Sequence, residues 1–188
     1  MPARIPALDP PYAPAVAAQL EAMMPAGVPP IGLFRTFARN LPMATAMHGW
    51  GRYELGRDLS VPMRLREVVI DRTTARCGAE YEWGVHVAFF AERVGLTAAQ
   101  VRSITTGGPD DDCWVDQRER LALELVDQLH DTADVDDDLW ARLEREFSDE
   151  QLLDLVLLCG WYHAISFVVR AARVELETFA PTFASTAP

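Results

Sequence analysis

Glu82 and His86 stand four apart in the run Cys77-Gly-Ala-Glu-Tyr-Glu-Trp-Gly-Val-His86, so on a helix their side chains share one face and can share a hydrogen bond. Glu67 lies upstream in Arg-Leu-Arg-Glu67-Val-Val-Ile, on one face with Ile70, Thr74 and Cys77. A tight helical hairpin turning at Gly78 would bring its carboxylate against His86. A carboxylate beside an imidazole fixes its tautomer and raises its pKa, which suits a general acid or base near neutral pH. Tyr81 adds a hydroxyl close by. The blander reading makes Glu82 and His86 a surface pair worth about 0.2–0.5 kcal/mol, with Glu67 solvated. A third reading joins Glu82 and His86 to His163 as metal ligands, but two ligands at helical spacing are thin support. Neither a metal nor a cofactor is expected.

The helices that must position these groups are legible from periodicity and caps. Ser60 is a good N-cap before Pro62, and the run to about Arg76 places Met63, Ile70 and Cys77 on one face. Gly78 ends it, and Ala79 to Val94 forms a second amphipathic stretch carrying Trp83, Val87, Phe90 and Val94 up to Gly95. Upstream, a short helix opens at Pro30 with Leu33, Phe34 and Phe37, and another runs from Pro42 to about Arg57, weakened by Gly49 and Gly51. Downstream, Thr97 caps a short helix, and Gly107 to Asp112 is an exposed loop. Leu121 to Leu129 belong to a long helix, Leu139 to Phe147 form a shorter one, and Ser148 caps an apolar helix running past Val169. Strand signals are nearly absent. The expectation is an all-α single domain over residues 31–176, after a Pro-rich segment 1–30 and before a tail 177–188.

Composition narrows the partners. All 17 basic residues are arginine and face 28 acids, for a formal charge of -11, which argues against nucleic acid as a partner. Cys77, Cys113 and Cys159 are widely spaced and odd in number, so neither a disulfide framework nor a zinc ligand set is expected, and a reducing cytoplasmic setting is. Eight prolines interrupt the first thirty residues, unlike a signal peptide. The apolar stretch from Leu152 to Val169 is broken by Asp154, Gly160 and His163, so a buried helix is expected and not a membrane span. The Arg-only, Ala-rich composition points to a bacterial source.

The segment from Glu67 to His86 resembles the signature of the carboxymuconolactone decarboxylase family, to which the AhpD alkyl-hydroperoxidases belong. The resemblance extends more loosely over residues 31–176, through Phe34 and the Trp161-Tyr162-His163 helix. It implies an AhpD-like helical bundle and a homo-oligomer, trimer or hexamer. In the hydroperoxidase branch a Cys-x-x-Cys pair stands seven and four residues before the histidine; here those positions hold Ala79 and Glu82. The relay glutamate falls on Glu67 and a polar relay residue on Tyr81. A disulfide-cycling peroxidase needs both thiols, so the resemblance favours a cofactor-independent lyase or isomerase. In that reading His86 donates the proton, Glu67 orients it, Glu82 and Tyr81 relay, and the substrate is a small carboxylic acid or lactone. The alternatives are hydroperoxide reduction through Cys77 and a ligand-binding protein without catalysis. Arg72 and Arg76 are candidates for a local positive patch; Trp50, Phe89 and His163 are candidates for the pocket wall.

Overall fold

The computed structural model describes residues 2–186, and these contain nine α-helices, one π-turn, one short 3-10 turn and no strand. The all-α class is therefore as the periodicity indicates. The chain forms two compact units, residues 2–59 with 168–178, and residues 60–167 with 179–186.

The first unit holds α1 (Pro14–Ala22), α2 (Gly32–Phe37) and α3 (Leu41–Glu54). Its core contains Leu20, Leu33, Phe37 and Ala44, and its two chain segments are stitched by Arg4 N–H to the Ala172 carbonyl at 2.8 Å and Gly32 N–H to Glu177 at 2.6 Å. Helix α1 lies inside the segment read as merely Pro-rich. The reason is positional: Pro14 occupies the first turn, where a missing N–H removes no intrahelical bond, and the interior is Ala-rich.

The second unit is built around α4 (Met63–Arg76), with α5 (Glu80–His86), α6 (Ala98–Thr106), α7 (Gln117–Thr132), α8 (Asp137–Glu146) and most of α9 (Asp149–Ala172). Ten consecutive residues of α4, Leu65 to Thr74, are buried. At about 3.6 residues per turn that covers every side of the helix. Val68 joins Trp83, Val101, Ile104, Trp114 and Leu123 in one apolar cluster. Arg72 is spent on structure: its Nε and one Nη bind both oxygens of Asp127 at 2.7 Å, while the other Nη donates to the Ile104 carbonyl at 2.9 Å and the Gly107 carbonyl at 3.0 Å. It thereby satisfies the C-terminal carbonyls of α6 and ties α4 to α7.

Several caps match the sequence and one does not. Gly78, at φ 62°, closes α4 in a Schellman turn, with Gly78 N–H on the Ala75 carbonyl and Ala79 N–H on the Thr74 carbonyl. Thr97 and Gln100 form a capping box at α6, and Ser148 accepts from Gln151 N–H at α9. Ser60 does not cap α4: its N–H and hydroxyl both donate to Asp154 at 2.8 and 2.6 Å, because Pro62 already leads the chain into the helix. The stretch read as one helix to Val94 is α5 followed by a π-turn, Val87–Ala91. By length and composition α9 is apolar enough to cross a membrane; half of its most apolar window is buried in the protein, and its Asp154 is engaged with Ser60.

Of the segment read as a tail, residues 179–186 pack within the second unit. Phe183 lies 5.0 Å from Trp83 between ring centroids, its N–H donates to Glu80, and the Pro181 carbonyl crosses directly over Gly84. A Cβ on Gly84 would meet that oxygen at 2.4 Å, whereas a Cβ on Gly160 meets nothing within 4 Å. Gly84→Ala is therefore expected to destabilise by about 1–3 kcal/mol through overpacking, and Gly160→Ala to stabilise by up to about 1 kcal/mol through helix propensity. Urea denaturation of the two variants beside the parent tests this; equal midpoints for both would refute the backbone-approach argument.

Candidate functional site

The turn at Gly78 folds α5 back on α4 and sets Glu67 against His86. Glu67 Oε2 lies 2.8 Å from His86 Nδ1, and both side chains are buried, at 0% and 5% exposure. The other carboxylate oxygen of Glu67 accepts from Arg66 Nε at 2.7 Å and from its terminal nitrogen at 2.6 Å. Each oxygen thus has an assigned donor. On the far side of the ring, His86 Nε2 lies 3.1 Å from the Tyr162 hydroxyl on α9 and 3.6 Å from Glu82 Oε1. Burial opposes charge on the imidazole, but the Glu67 carboxylate, with Glu82 behind it, raises the pKa to about 10. At neutral pH the ring is an imidazolium, donating Nδ1–H to Glu67 and holding a second proton at Nε2.

Asp71, one turn beyond Glu67 on α4, completes the buried set. Burial first, then the nearby Glu67 charge, raise its pKa well above the usual carboxyl value, with His86 pulling weakly the other way. One of its oxygens is buried with no hydrogen-bond partner among the described residues, as is Glu82 Oε2. Around them, Arg66 and His86 stand against Glu67 and Glu82. Phe90 borders this array, 5.4 Å from the His86 ring and 5.4 Å beneath the Arg66 guanidinium. It belongs to the π-turn that begins at the residue after His86. The wider spacing of a π-turn resets which side chains face the histidine, a device frequent at functional sites.

Of the residues named from sequence, the structure gathers Glu67, Glu82 and His86 around one ring. Tyr81 is buried on α5, five positions before His86 and so on a different side of the helix; the hydroxyl in hydrogen-bond range of His86 is Tyr162's. Cys77 caps the C-terminus of α4, with Sγ 3.8 Å from His130 Nδ1. His163 turns to His130, at 3.0 Å between ring nitrogens. Arg72 is buried structure, and Arg76 is paired with Asp131 at 2.5 Å and Asp127 at 3.6 Å. Phe89 is exposed on the π-turn against Phe179, and Trp50 lies on α3 against Tyr53. Arg66, Asp71 and Tyr162 are site residues the sequence reading did not select. The four-residue step from Glu67 to Asp71 was available as a signal; Tyr162, 76 residues from His86, left none.

Two outcomes follow from this electrostatics. A histidine whose folded pKa is raised from 6.5 to about 10 contributes stability that is complete below pH 6.5 and lost as pH rises toward 10. The stability difference between the parent and His86→Gln should shrink over that window, measured as urea midpoints; a difference independent of pH would contradict the buried imidazolium. Asp71 has the opposite sign: a raised folded pKa costs stability at every pH above its ordinary 3.8. Asp71→Asn should therefore match or exceed the parent at pH 7, with the advantage vanishing below pH 3.8. Marked destabilisation of Asp71→Asn at pH 7 would mean that the buried group is ionised.

No protein-family model matches the chain, and no curated protein matches it. Among solved structures, the chain is similar to an uncharacterized peroxidase-related protein from Silicibacter sp. TM1040, with 15% identity, a TM-score of 0.80 and 97% of each chain covered. It is also similar to the debrominase Bmp8, in a cysteine-to-alanine variant in complex with 2,3,4-tribromopyrrole, with 18% identity, a TM-score of 0.79, and 99% of this chain and 96% of that one covered. A third likeness is to a protein of unknown function from Agrobacterium tumefaciens, a putative antioxidant defence protein AhpD. There the identity is 19%, the TM-score 0.67, and the cover 76% of this chain and 96% of that one. At these identities the likeness speaks to the fold, and the protein has the all-helical AhpD-like fold.

Proposed function

We propose that this protein is a cofactor-independent acid–base enzyme, a lyase or isomerase acting on a small carboxylic acid or lactone. The observation that carries the reading is the buried Glu67–His86 pair at 2.8 Å, which favours a proton on an imidazole shielded from water. Glu67 fixes the ring through Nδ1. The Nε2 proton then has two directions, to the Tyr162 hydroxyl or toward Glu82. In a decarboxylation the substrate carboxylate leaves as carbon dioxide, its bonding pair stays on carbon, and His86 delivers the proton to that carbon, directly or through Tyr162. Tyr81 is buried on the helix that carries Glu82 and His86. No disulfide joins Cys77, Cys113 and Cys159, and a reducing cytoplasm is part of the proposal.

A second reading, hydroperoxide reduction through Cys77, draws on His130 beside the sulfur and on the peroxidase-related neighbour. Cys77 would attack the O–O bond, releasing an alcohol and leaving a sulfenic acid that an external thiol must reduce. The positions of the resolving pair hold Ala79 and Glu82, and burial pushes the Cys159 thiol up to about 11, so a second thiolate is not poised to assist. Assembly as a trimer or hexamer is part of the proposal. Leu153, Leu157 and Phe167 make an exposed apolar stripe on α9 of the kind that subunit contacts cover.

The test is carbon dioxide release from a panel of lactone and β-keto carboxylic acids, with hydroperoxide consumption measured in parallel. Release by the parent, lowered about 10²–10⁴-fold in His86→Gln and less in Tyr162→Phe, is the expected result. Hydroperoxide consumption that disappears in Cys77→Ser, with no carbon dioxide from any acid, would replace this reading with the second. Sedimentation velocity should give a trimer or hexamer; a monomer would refute the assembly.

A further inference from the structure

Three helices of the second unit direct a sulfur and two imidazole nitrogens at one point away from His86. Cys77 Sγ comes from the C-terminus of α4, His130 Nδ1 from the last turn of α7, and His163 Nε2 from the middle of α9. These atoms all lie within 4.8 Å of one another. Sγ to the His130 nitrogen is 3.8 Å, and nitrogen to nitrogen is 3.0 Å. Tetrahedral zinc, with Zn–N of about 2.05 Å and Zn–S of about 2.3 Å, separates its ligands by roughly 3.3 Å for N···N and 3.6 Å for S···N. The Cys77–His130 and His130–His163 separations meet these values within about 0.3 Å, and the Cys77–His163 separation, at most 4.8 Å, closes by side-chain rotation. We propose that Cys77, His130 and His163 form a binding site for a borderline-soft divalent cation of the zinc class, with a fourth position left to water or an exogenous ligand.

Details beyond proximity support this. His163 Nδ1 donates to the Cys159 carbonyl of its own helix at 2.9 Å, which leaves its Nε2 lone pair aimed at His130. This is the outer hydrogen bond that metal-ligating histidines characteristically make. Two of the three ligands sit at helix C-termini, where the backbone carbonyls favour a cation. Asp127 and Asp131 neutralise Arg76, the cation nearest by. Cys77 is buried while both histidines are half-buried, so the ligand set is shielded on one side and reachable on the other, the arrangement of an open site. Binding releases the Cys77 thiol proton to solvent and moves the His130 proton from Nδ1 to Nε2, so one proton is lost per metal. Cys159, 3.7 Å from Nδ1 of His163 and so on the side turned away from His130, lies outside the set.

The test is cobalt(II) titration of the chelator-treated full chain under a non-thiol reductant. One equivalent should produce a thiolate-to-cobalt charge-transfer band with the intense visible bands of tetrahedral cobalt, displaced by zinc. Cys77→Ser should abolish the charge-transfer band, and His163→Gln should weaken affinity by more than about 100-fold, while Cys113→Ser changes neither. As a check that needs no variant, one equivalent of zinc should shift the ring resonances of His130 and His163 in the parent and leave those of His86 in place. Absence of the band, its persistence in Cys77→Ser, or weak uptake of several equivalents would overturn the site.

Discussion

A helix buried on every side that nonetheless carries Arg66, Glu67, Asp71 and Arg72 is the constraint on which the second unit depends. None of these side chains reaches bulk water, so each must find its counter-charge or hydrogen bonds inside the protein or give up its charge. Three solutions appear on the one helix. Arg72 uses the α7 carboxylate of Asp127 and the loose carbonyls at the end of α6. Glu67 divides its two oxygens between Arg66 and His86. Asp71, buried beside the Glu67 carboxylate, is pushed toward its neutral form, its pKa raised well above the usual carboxyl value. Removing one member of such a pair typically costs about 3–5 kcal/mol. The positions of α5, α6 and α7 are thus specified electrostatically as well as by the apolar cluster around Trp83 and Val68.

That arrangement explains which parts of the molecule were legible in the sequence. Features set by neighbours within a turn could be read: the Schellman glycine at Gly78, the Thr97–Gln100 box, the serine opening α9, and the shared face of Glu82 and His86. Features set by which helix packs where could not. Tyr162 reaches His86 only because α9 crosses α5, and nothing in its local sequence separates it from a core tyrosine. Ser60 has the chemistry of an N-cap, but its hydroxyl is claimed by Asp154 from across the unit. The π-turn after His86 has no compositional signature of its own. Asp71 is recognisable as an acid, whereas its neutral state depends on burial, which a sequence does not print.

The same reasoning separates the two clusters of the second unit by their chemistry. Around His86 the ligating atoms are oxygens, the imidazole is charged at neutral pH, and the ring nitrogens are both committed, one to a carboxylate and one toward a phenol. With both nitrogens committed, the His86 ring offers a cation no lone pair. Around His163 the situation is inverted: its Nε2 turns to His130 Nδ1 at 3.0 Å, and a soft sulfur replaces the carboxylate. One helix, α9, serves both, with Tyr162 facing the proton site and His163 the sulfur site. Adjacent residues on a helix diverge by about 100°, so neighbouring positions reach different interiors.

Charge balance also bears on what the proton site can accept. Arg64 is held by Glu119, Arg66 by Glu67, Arg72 by Asp127 and Arg76 by the α7 acids, so every arginine of α4 is already paired with a carboxylate when a substrate carboxylate arrives. The buried set of Arg66, Glu67, Glu82 and His86 is neutral as a whole, so a substrate anion placed against it carries an uncompensated charge in a low-dielectric setting. On the proposed reading that is a driving force: loss of carbon dioxide with uptake of a proton from Nε2 removes the substrate's charge from the site. The remaining imidazole is neutral beside the carboxylates of Glu67 and Glu82, whose uncompensated charge favours recapture of a proton. The electrostatics that hold His86 protonated at rest therefore both resist the substrate carboxylate and reset the acid once it has gone.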